Sequence, residues 1–515
     1  MFKRIAVLLF LIMTVVGMYA QSTAIKTLYN TVKNTSYETN ADSMTNAFIE
    51  SFMIKSKGYF NIKYQQYADN AYWQQAPAID VVIYNYQRQK NINRTLASKY
   101  LNYIKLWYQN KANNYSGAAA ATSTTPNTTN GYKMFENHFT DDMCWVTLAL
   151  LHIGEATGTS SYSIIARQVF DNYIIKRAHY TEDSTAIWLP WKNESGSGPN
   201  ACTMAPATLI AAKLYKKYGT EKYLTYAKKL YTYTAKNIVK SDGRVEEPPL
   251  TYTQGTFAEA CRILYHVTDE SNSIKNKYKS LAYTYINYAF TSERCTSNGF
   301  LRDEGHDGNQ SIFKAILIPY AVNYVLDEEM TTTNRKNICG YILKNTNKMW
   351  QNLDRSRYPL VFCNYDWRYA YTGADSDAAM GAMCSGSSLM ENTARMCRAI
   401  VDRYNLGALY TECSKFTIEP GHEEDAELTP FYTAMAAAKE IIDNPDDYMT
   451  YQFLKAIEDL QAAYQAAQDY ATAIPDVHKD LKDSDGAIYN LSGQKVSGKL
   501  QKGIYIIGGR KVLIK

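Results

Sequence analysis

Two kinds of helical segment alternate along residues 23–414 of the chain, and this alternation restricts the fold more than any other feature. One kind is apolar on nearly every side, as in residues 141–153, which contain the run MCWVTLALLHI. The other kind carries Lys and Tyr on one face and Leu and Ala on the opposite face, as in residues 221–239. A helix that is apolar all round is buried on every side, whereas an amphipathic helix covers a core. Inner and outer helices are therefore expected to alternate.

The number of segments predicts how the helices close. The apolar segments are residues 71–86, 141–153, 201–215, 255–267, 310–325 and 386–404. The amphipathic segments are residues 98–108, 163–176, 221–239, 276–290 and 334–350, and residues 43–52 could supply a sixth. A repeat of roughly 60 residues with two helices each predicts a closed ring of six hairpins, an (α/α)6 toroid with a cleft at one end. An open helical solenoid is the alternative, but it would need capping repeats.

The two ends of the chain follow other patterns. Lys3 and Arg4 precede the apolar residues 5–16, and Ala20 offers a small residue at a cleavage point, so residues 1–20 are expected to be a signal peptide. The protein is therefore expected to be exported, to a periplasmic, cell-surface or extracellular location. No other stretch is apolar for long enough to predict a membrane span.

Two further segments follow the toroid. Residues 429–472 read as simple amphipathic helices and are expected to form a helical spacer. In residues 483–515 the apolar positions recur with period two, and Gly508 with Gly509 is a hairpin signal, so a small β module is predicted. Such a short module buries little core by itself, which indicates that it docks elsewhere or is recognised by a partner.

Composition excludes several classes of function. The formal net charge of +5 is spread along the chain, so neither nucleic-acid binding nor attraction to a membrane surface is indicated. The nine cysteines show no CxxC spacing, which favours small buried hydrophobic residues over a disulfide framework or a zinc site. The 45 tyrosines fit helix–helix contacts, and they also fit sugar-binding surfaces.

Two adjacent carboxylates stand at the start of an otherwise apolar inner helix. Asp141 and Asp142 lie where the loops of the ring would converge, and one carboxylate would be enough to cap the helix or complement its dipole. Short side chains one residue apart on a helix hold their carboxylates on the order of 5 Å from each other, the separation found in retaining glycosidases. Like charges this close do not both ionise easily, so one member is expected to keep its proton.

The segment HFTDDMCWVTLALLHIGEATG, residues 138–158, resembles the Asp-Asp-x-x-Trp signature of glycoside hydrolase family 76, the endo-α-1,6-mannanases. Further blocks continue the resemblance in order, at residues 192–215, 251–268 and 364–371. Thr140 and Val146 stand where the family often has aromatic residues, and the polar run at 116–130 looks like an enlarged loop beside the site.

The resemblance implies a double-displacement reaction on the α-1,6-mannan backbone of yeast or fungal glycans. It implies that Asp141 is the nucleophile and Asp142 the general acid/base, with no metal or organic cofactor required. The C-terminal segment resembles β-domains that end many secreted proteins of Bacteroidetes-type bacteria, which implies export or surface-attachment machinery as a partner.

Sugar-contact candidates follow from side-chain chemistry. Aromatic rings can stack on the apolar faces of pyranoses, and the candidates are Trp73, Trp145, Tyr252 and Trp367. Polar groups at helix starts can bind hydroxyls, and the candidates are Asn200, Gln254, Asp303 and Asp366. Each of these also has an ordinary structural explanation, in a core or a turn. His306 and Asp307 beside Asp303 lack a full ligand set, so no metal site is predicted.

Two other classes of function remain open at this point. A non-catalytic glycan-binding protein on a helical toroid would need only the aromatic and hydroxyl-binding residues, and it would have no use for two repelling carboxylates. Another (α/α)6 polysaccharide-degrading enzyme, such as a lyase, would need a Tyr or His base with a group that neutralises a uronic acid. The sequence shows no Arg/His cluster beside the Asp pair.

Overall fold

The computed structural model describes residues 24–65, 72–90, 92–109, 135–246, 248–448, 450–474, 487–507 and 510–514. The predicted signal peptide and the polar run at 116–130 lie outside these residues. The chain forms two compact units, one of residues 1–404 with 449–451 and one of residues 405–448 with 452–515.

Alternating helices build the first unit. In chain order they are α1 (Glu38–Phe52), α2 (Gln75–Gln89), α3 (Arg94–Gln109), α4 (Thr140–Thr157), α5 (Ser160–Val169), α6 (Ala201–Tyr218), α7 (Glu221–Asn237), α8 (Thr251–Val267), α9 (Asn272–Thr291), α10 (Phe313–Leu326), α11 (Thr332–Gln351) and α12 (Met380–Cys413). Helices α2, α4, α6, α8 and α10 contact one another in sequence, and each odd-numbered helix packs outside an even-numbered neighbour. The predicted inner and outer sets are these two sets.

The ring of inner helices is closed. Ser388 of α12 donates to Ala315 O of α10 (2.8 Å), and on the other side Arg88 of α2 pairs with the buried Glu391 of α12 (3.0 Å). Helix α12 therefore joins the last hairpin to the first, and an open solenoid is wrong. The predicted (α/α)6 toroid is confirmed.

The inner helices pack at very short range, and their sequence explains it. Residues 143–151 of α4 are all buried, as the apolar run predicted. At Gly255 of α8, a Cβ atom would lie 2.8 Å from the Cα of Leu317 in α10. Only a residue without a side chain lets these two backbones approach so closely.

In the described ranges, three short β-hairpins lie in the connections between the helices of the first unit. They pair β1 (Met53–Ile54) with β2 (Tyr59–Phe60), β3 (His179–Tyr180) with β4 (Ile187–Trp188), and β5 (Thr296–Ser297) with β6 (Phe300–Leu301), all antiparallel. Helix α5 continues as a π turn at Phe170–Ile174 and a 3-10 turn at Ile175–Arg177, so the predicted single helix at 163–176 changes its winding before it ends.

The second unit has its own core. Helices α13 (Thr429–Asp443) and α14 (Thr450–Ala473) bury Phe431, Phe453 and Leu460 together with Leu406 from the end of α12. Strands β7 (Ile488–Asn490), β8 (Lys495–Val496), β9 (Gly503–Ile507) and β10 (Arg510–Ile514) form an antiparallel sheet in the order β10-β9-β7-β8. Ile507 pairs with Arg510 across the predicted hairpin, whose Gly508 and Gly509 lie outside the described residues.

Candidate active site

The start of α4 is held in place by the loop that precedes α6. Thr140 N donates to Trp191 O (2.8 Å), and Phe139 forms an antiparallel bridge with Lys192. Arg177, the last residue of the 3-10 turn that continues α5, donates to His138 O (3.0 Å) and to Thr140 Oγ1 (3.1 Å). The N-cap residue is Phe139 and not Thr140 or Asp141, so capping does not explain why two aspartates occupy the first turn.

Asp141 accepts hydrogen bonds from two neighbours. Its Oδ2 atom receives Trp191 Nε1 (3.2 Å) and Cys202 Sγ (3.2 Å). Its Oδ1 atom is buried and has no hydrogen-bond partner among the residues of the described ranges. Burial raises the pKa of the Asp141 carboxyl to about 6, and the bonds from Cys202 and Trp191 oppose that rise because they favour the charged form.

Asp142 is in a different environment. Within the described part of the chain, no hydrogen bond reaches its carboxyl group. Burial raises the pKa of Asp142 well above its usual range, and the neighbouring charge of Asp141 raises it further. Two chemically identical side chains, one residue apart, are therefore unequal, and Asp141 ionises first.

Aromatic rings form the floor beside the pair. Trp145 of α4 lies 6.3 Å from Trp73 and 5.6 Å from Tyr252, measured between ring centroids. Tyr252 stacks on Phe313 at 4.1 Å, and Trp73 donates to Asn309 Oδ1 (2.8 Å). The structure thus brings the predicted Trp73, Trp145 and Tyr252 together, and of these three only Trp73 is partly exposed.

Two of the predicted sugar contacts lie inside the protein, and their role in binding sugar stays a prediction that this burial disfavours. Gln254 is fully buried, and its amide bonds to Val245 N, Gly243 O (3.1 Å) and Tyr285 O (3.1 Å), so no hydrogen-bonding hydrogen remains for a sugar. Trp367 is 1 % exposed and packs under the Lys314 ammonium group, 4.2 Å from its ring. Both residues face the protein interior, a distinction that residue type cannot make.

The other three polar candidates each serve a local structure. Asn200 is the N-cap of α6 and accepts from Thr203 N (3.1 Å). Asp303 accepts from Gly305 N (2.8 Å) and pairs with His306. Asp366 forms a salt bridge with the Arg368 guanidinium (2.6 Å). Their role in binding sugar stays a prediction.

Several residues of the site were missed by sequence reasoning. Trp191 is 38 % exposed beside Asp141, and it directly precedes the block at 192–215 that carries the family resemblance. Cys202 lies inside that block, but it was grouped with the buried cysteines. All nine cysteines are free, and Cys202 is the one that is not fully buried.

Two further carboxylates hold the starts of neighbouring inner helices. Glu246 Oε2 accepts from Ala201 N of α6 (2.7 Å). The backbone φ of Glu246 is +75°, which is unusual for a residue with a side chain. Glu304 Oε1 accepts from Thr251 N of α8 (2.7 Å), and burial raises the pKa of Glu304 to about 7. No sequence pattern marks these residues, because each serves a helix that precedes it in the chain.

Metal-binding and membrane-spanning features were also sought over the described ranges. No group of three or more His, Cys, Asp or Glu side chains there converges to hold a metal ion. None of the helices in those ranges is long and apolar enough to cross a bilayer.

A closed (α/α)6 ring with an unequal, half-buried carboxylate pair at the start of one inner helix is the arrangement expected of a glycoside hydrolase. The model of the family described as glycosyl hydrolase family 76 matches residues 36–399, more than half of the chain. The chain belongs to this family. None of the curated protein sequences matches it.

Solved structures share the fold. The α-1,6-mannanase GH76A of Salegentibacter sp. HEL1_6 has a TM-score of 0.58 and 22% identity, covering 70% of this chain and 99% of that one. The Lin0763 protein of Listeria innocua has a TM-score of 0.57 and 21% identity, covering 70% and 98%. A family 76 mannosidase of Bacteroides thetaiotaomicron has a TM-score of 0.53 and 17% identity, covering 72% and 99%.

One further solved structure contains a bound oligosaccharide. It is an inactive variant of the Salegentibacter enzyme, with two consecutive aspartates replaced by alanine, in complex with α-1,6-mannotetraose. It has a TM-score of 0.58 and 21% identity, covering 70% of this chain and 100% of that one.

Proposed function

We propose that this protein is an exported, retaining endo-α-1,6-mannanase that uses Asp141 as nucleophile and Asp142 as general acid/base. The observation that carries the proposal is the unequal environment of the two carboxyls. Asp141 receives two hydrogen bonds that favour its charge, whereas Asp142 is buried against that charge and keeps its proton. Membership of family 76 and the mannan oligosaccharide bound by the Salegentibacter variant support the choice of substrate.

The reaction follows from these two protonation states. In the first step a carboxylate oxygen of Asp141 forms a bond to the anomeric carbon, the glycosidic C–O bond breaks, and Asp142 gives its proton to the departing sugar oxygen. In the second step Asp142, now a carboxylate, removes a proton from water. The water oxygen bonds to the anomeric carbon, and the ester bond to Asp141 breaks. Two displacements leave the product with the configuration of the substrate.

The roles are tested by pairing each substitution with two kinds of substrate. Asp141→Asn should abolish hydrolysis of both mannan and an aryl α-1,6-mannobioside, because the nucleophile is lost. Asp142→Asn should abolish turnover of mannan but keep the first step on the aryl substrate, whose leaving group needs no proton. The exposed Asp447→Asn is the matched control and should behave as the wild type. Near-normal activity of both active-site variants on mannan would refute the mechanism.

Stereochemistry, product size and location are tested separately. Proton NMR of fresh product should show the α-anomer first, and a first-formed β-anomer would indicate inversion.

Sizing the products of debranched mannan should show a ladder of oligosaccharides, whereas mannose alone would indicate an exo-enzyme. Binding without any product would favour a glycan-binding protein, and unsaturated products would indicate a lyase. N-terminal sequencing of the exported protein should begin near Gln21.

A further inference from the structure

The two carboxyls of the pair repel each other equally, so repulsion alone does not decide which one keeps the proton. Backbone N–H groups of the pair itself favour the charge of Asp141, and the larger part of the asymmetry comes from other parts of the chain. Trp191, from the loop before α6, and Cys202, from the first turn of α6, both donate to Asp141 Oδ2 at 3.2 Å. Among the described residues, none donates to Asp142.

We propose that Cys202, together with Trp191, is a positioning residue that keeps Asp141 ionised and thereby directs the shared proton to Asp142. This inference rests on the proposed function, because it explains how the nucleophile and the acid acquire their separate roles.

The thiol is fixed in place by its backbone. Cys202 follows Ala201, whose N–H is held by Glu246 Oε2 at 2.7 Å, and the N-cap Asn200 accepts from Thr203 N. With the first turn of α6 held, the Sγ atom can move only by rotation about the Cα–Cβ bond of Cys202. A donor fixed by its own helix holds the carboxylate in one orientation, as a nucleophile requires.

The thiol stays protonated, which is what makes it a donor. Burial raises the pKa of Cys202 well above its usual range, and the charge of Asp141 raises it further. The hydroxyl of Tyr252 lies beside the same thiol, and it lowers the pKa of Cys202 by less than burial and Asp141 raise it.

A thiol suits this position better than a hydroxyl would. The S–H group is a weak donor, so it orients Asp141 while withdrawing little of its electron density. A stronger donor would lower the pKa of the carboxylate further, and a less basic carboxylate is a poorer nucleophile. The choice of cysteine therefore balances orientation against reactivity.

Other ionisable groups also face the pair and are held constant in the test. They come from several elements: Cys144 on α4, Tyr252 on α8, Tyr72 before α2, with Glu246 and Arg177 acting on these neighbours. Substitutions confined to Cys202 and Trp191 leave all of them in place. A change in pH profile is then attributable to the donors of Asp141.

The first experiment measures the pH profile of kcat/KM on α-1,6-mannan oligosaccharides. Cys202→Ala and Trp191→Phe each remove one donor, so the low-pH limb should move up by roughly 0.5–1 pH unit. Cys202→Ser supplies a stronger donor, so its limb should move down while kcat falls severalfold. Cys295→Ala, which removes a buried thiol bonded to Pro249 O, is the matched control and should not move the limb. Equal shifts of the alanine and serine variants, or lower kcat without any shift, would overturn the inference.

A second experiment does not depend on activity. The infrared difference spectrum of wild type minus Cys202→Ala isolates the S–H stretch of Cys202. This band should shift as Asp141 ionises, and the shift should disappear in Asp141→Asn. A pH-dependent band in a protein that does not hydrolyse mannan would refute the proposed function and keep the inference. Normal hydrolysis with a pH-independent band would overturn the inference and keep the function.

Discussion

Replacing Gln254 with leucine tests whether this residue supports the fold or binds substrate. Its side chain lies fully inside the first unit, where Oε1 accepts from Val245 N and Nε2 donates to Gly243 O and Tyr285 O. Leucine has a similar volume but no polar atoms. Gln254→Leu would therefore leave a buried donor at Val245 and a buried acceptor at Gly243 without this partner. Tyr285 O lies within α9, so it can still accept from its own helix.

The expected cost follows from these two groups. Each buried polar group left unpaired costs about 1–3 kcal/mol, and the added apolar burial of leucine offsets about 1 kcal/mol. The free energy of unfolding should therefore fall by about 1–5 kcal/mol. For a unit of this size the entropy of unfolding is roughly 0.8 kcal/mol per kelvin, so Tm should fall by about 1–6 °C.

Calorimetry and kinetics together give the result. Differential scanning calorimetry measures the Tm of the variant, and kcat/KM on mannan is measured well below it, where the fold is intact and activity should be within about twofold of wild type. Gln351→Leu, an exposed position at the end of α11, is the matched control and should leave both values unchanged. An unchanged Tm with a large loss of kcat/KM would show that Gln254 binds sugar and that its buried hydrogen bonds contribute little to stability.

Four further predictions follow from the packing and electrostatics of the first unit. Asp142→Asn should raise Tm by about 2–4 °C at pH 8 and by less at pH 5. Folding raises the pKa of the Asp142 carboxyl, so the folded protein loses stability as the pH rises toward and through that pKa, and the asparagine variant avoids this loss. A larger gain in Tm at pH 5 would contradict this sign. Gly255→Ala should lower the free energy of unfolding by about 3 kcal/mol, because the new Cβ atom would press against the Leu317 backbone. Gly340→Ala, with open space at its Cβ position, should raise it by about 0.5–1 kcal/mol. Equal effects in denaturant titrations would refute the packing argument. Trp367→Ala should cost about 3–5 kcal/mol of stability, whereas Trp191→Ala, which removes a donor to Asp141, should lower kcat/KM roughly 3–10-fold with little change in Tm. A large fall in Tm for Trp191→Ala with none for Trp367→Ala would contradict this. A thiol reductant should leave Tm unchanged, because all nine cysteines are free, and a clear drop in Tm would reveal a disulfide.

The sequence by itself determined the architecture and the position of the reactive pair. Whether a helix is apolar on every side or on one face is written into consecutive residues, so the inner and outer helices were predictable without knowledge of their neighbours. The run after Asp142 shows this directly, because residues 143–151 are all buried. The placement of two aspartates at the start of that run is equally local, and it was enough to indicate a carboxylate site.

Tertiary structure alone decided what surrounds the pair. Trp191 and Cys202 lie 50 and 61 residues from Asp141 in the chain, and they meet its carboxylate because a loop and the next inner helix converge on the mouth of α4. The same closure turned Gln254 and Trp367 inward, although their chemistry suits a sugar. A hydrophobic pattern specifies which face is buried, but not which distant group it is buried against. The two aspartates are the same residue in the sequence, and those distant contacts contribute most to making them unequal.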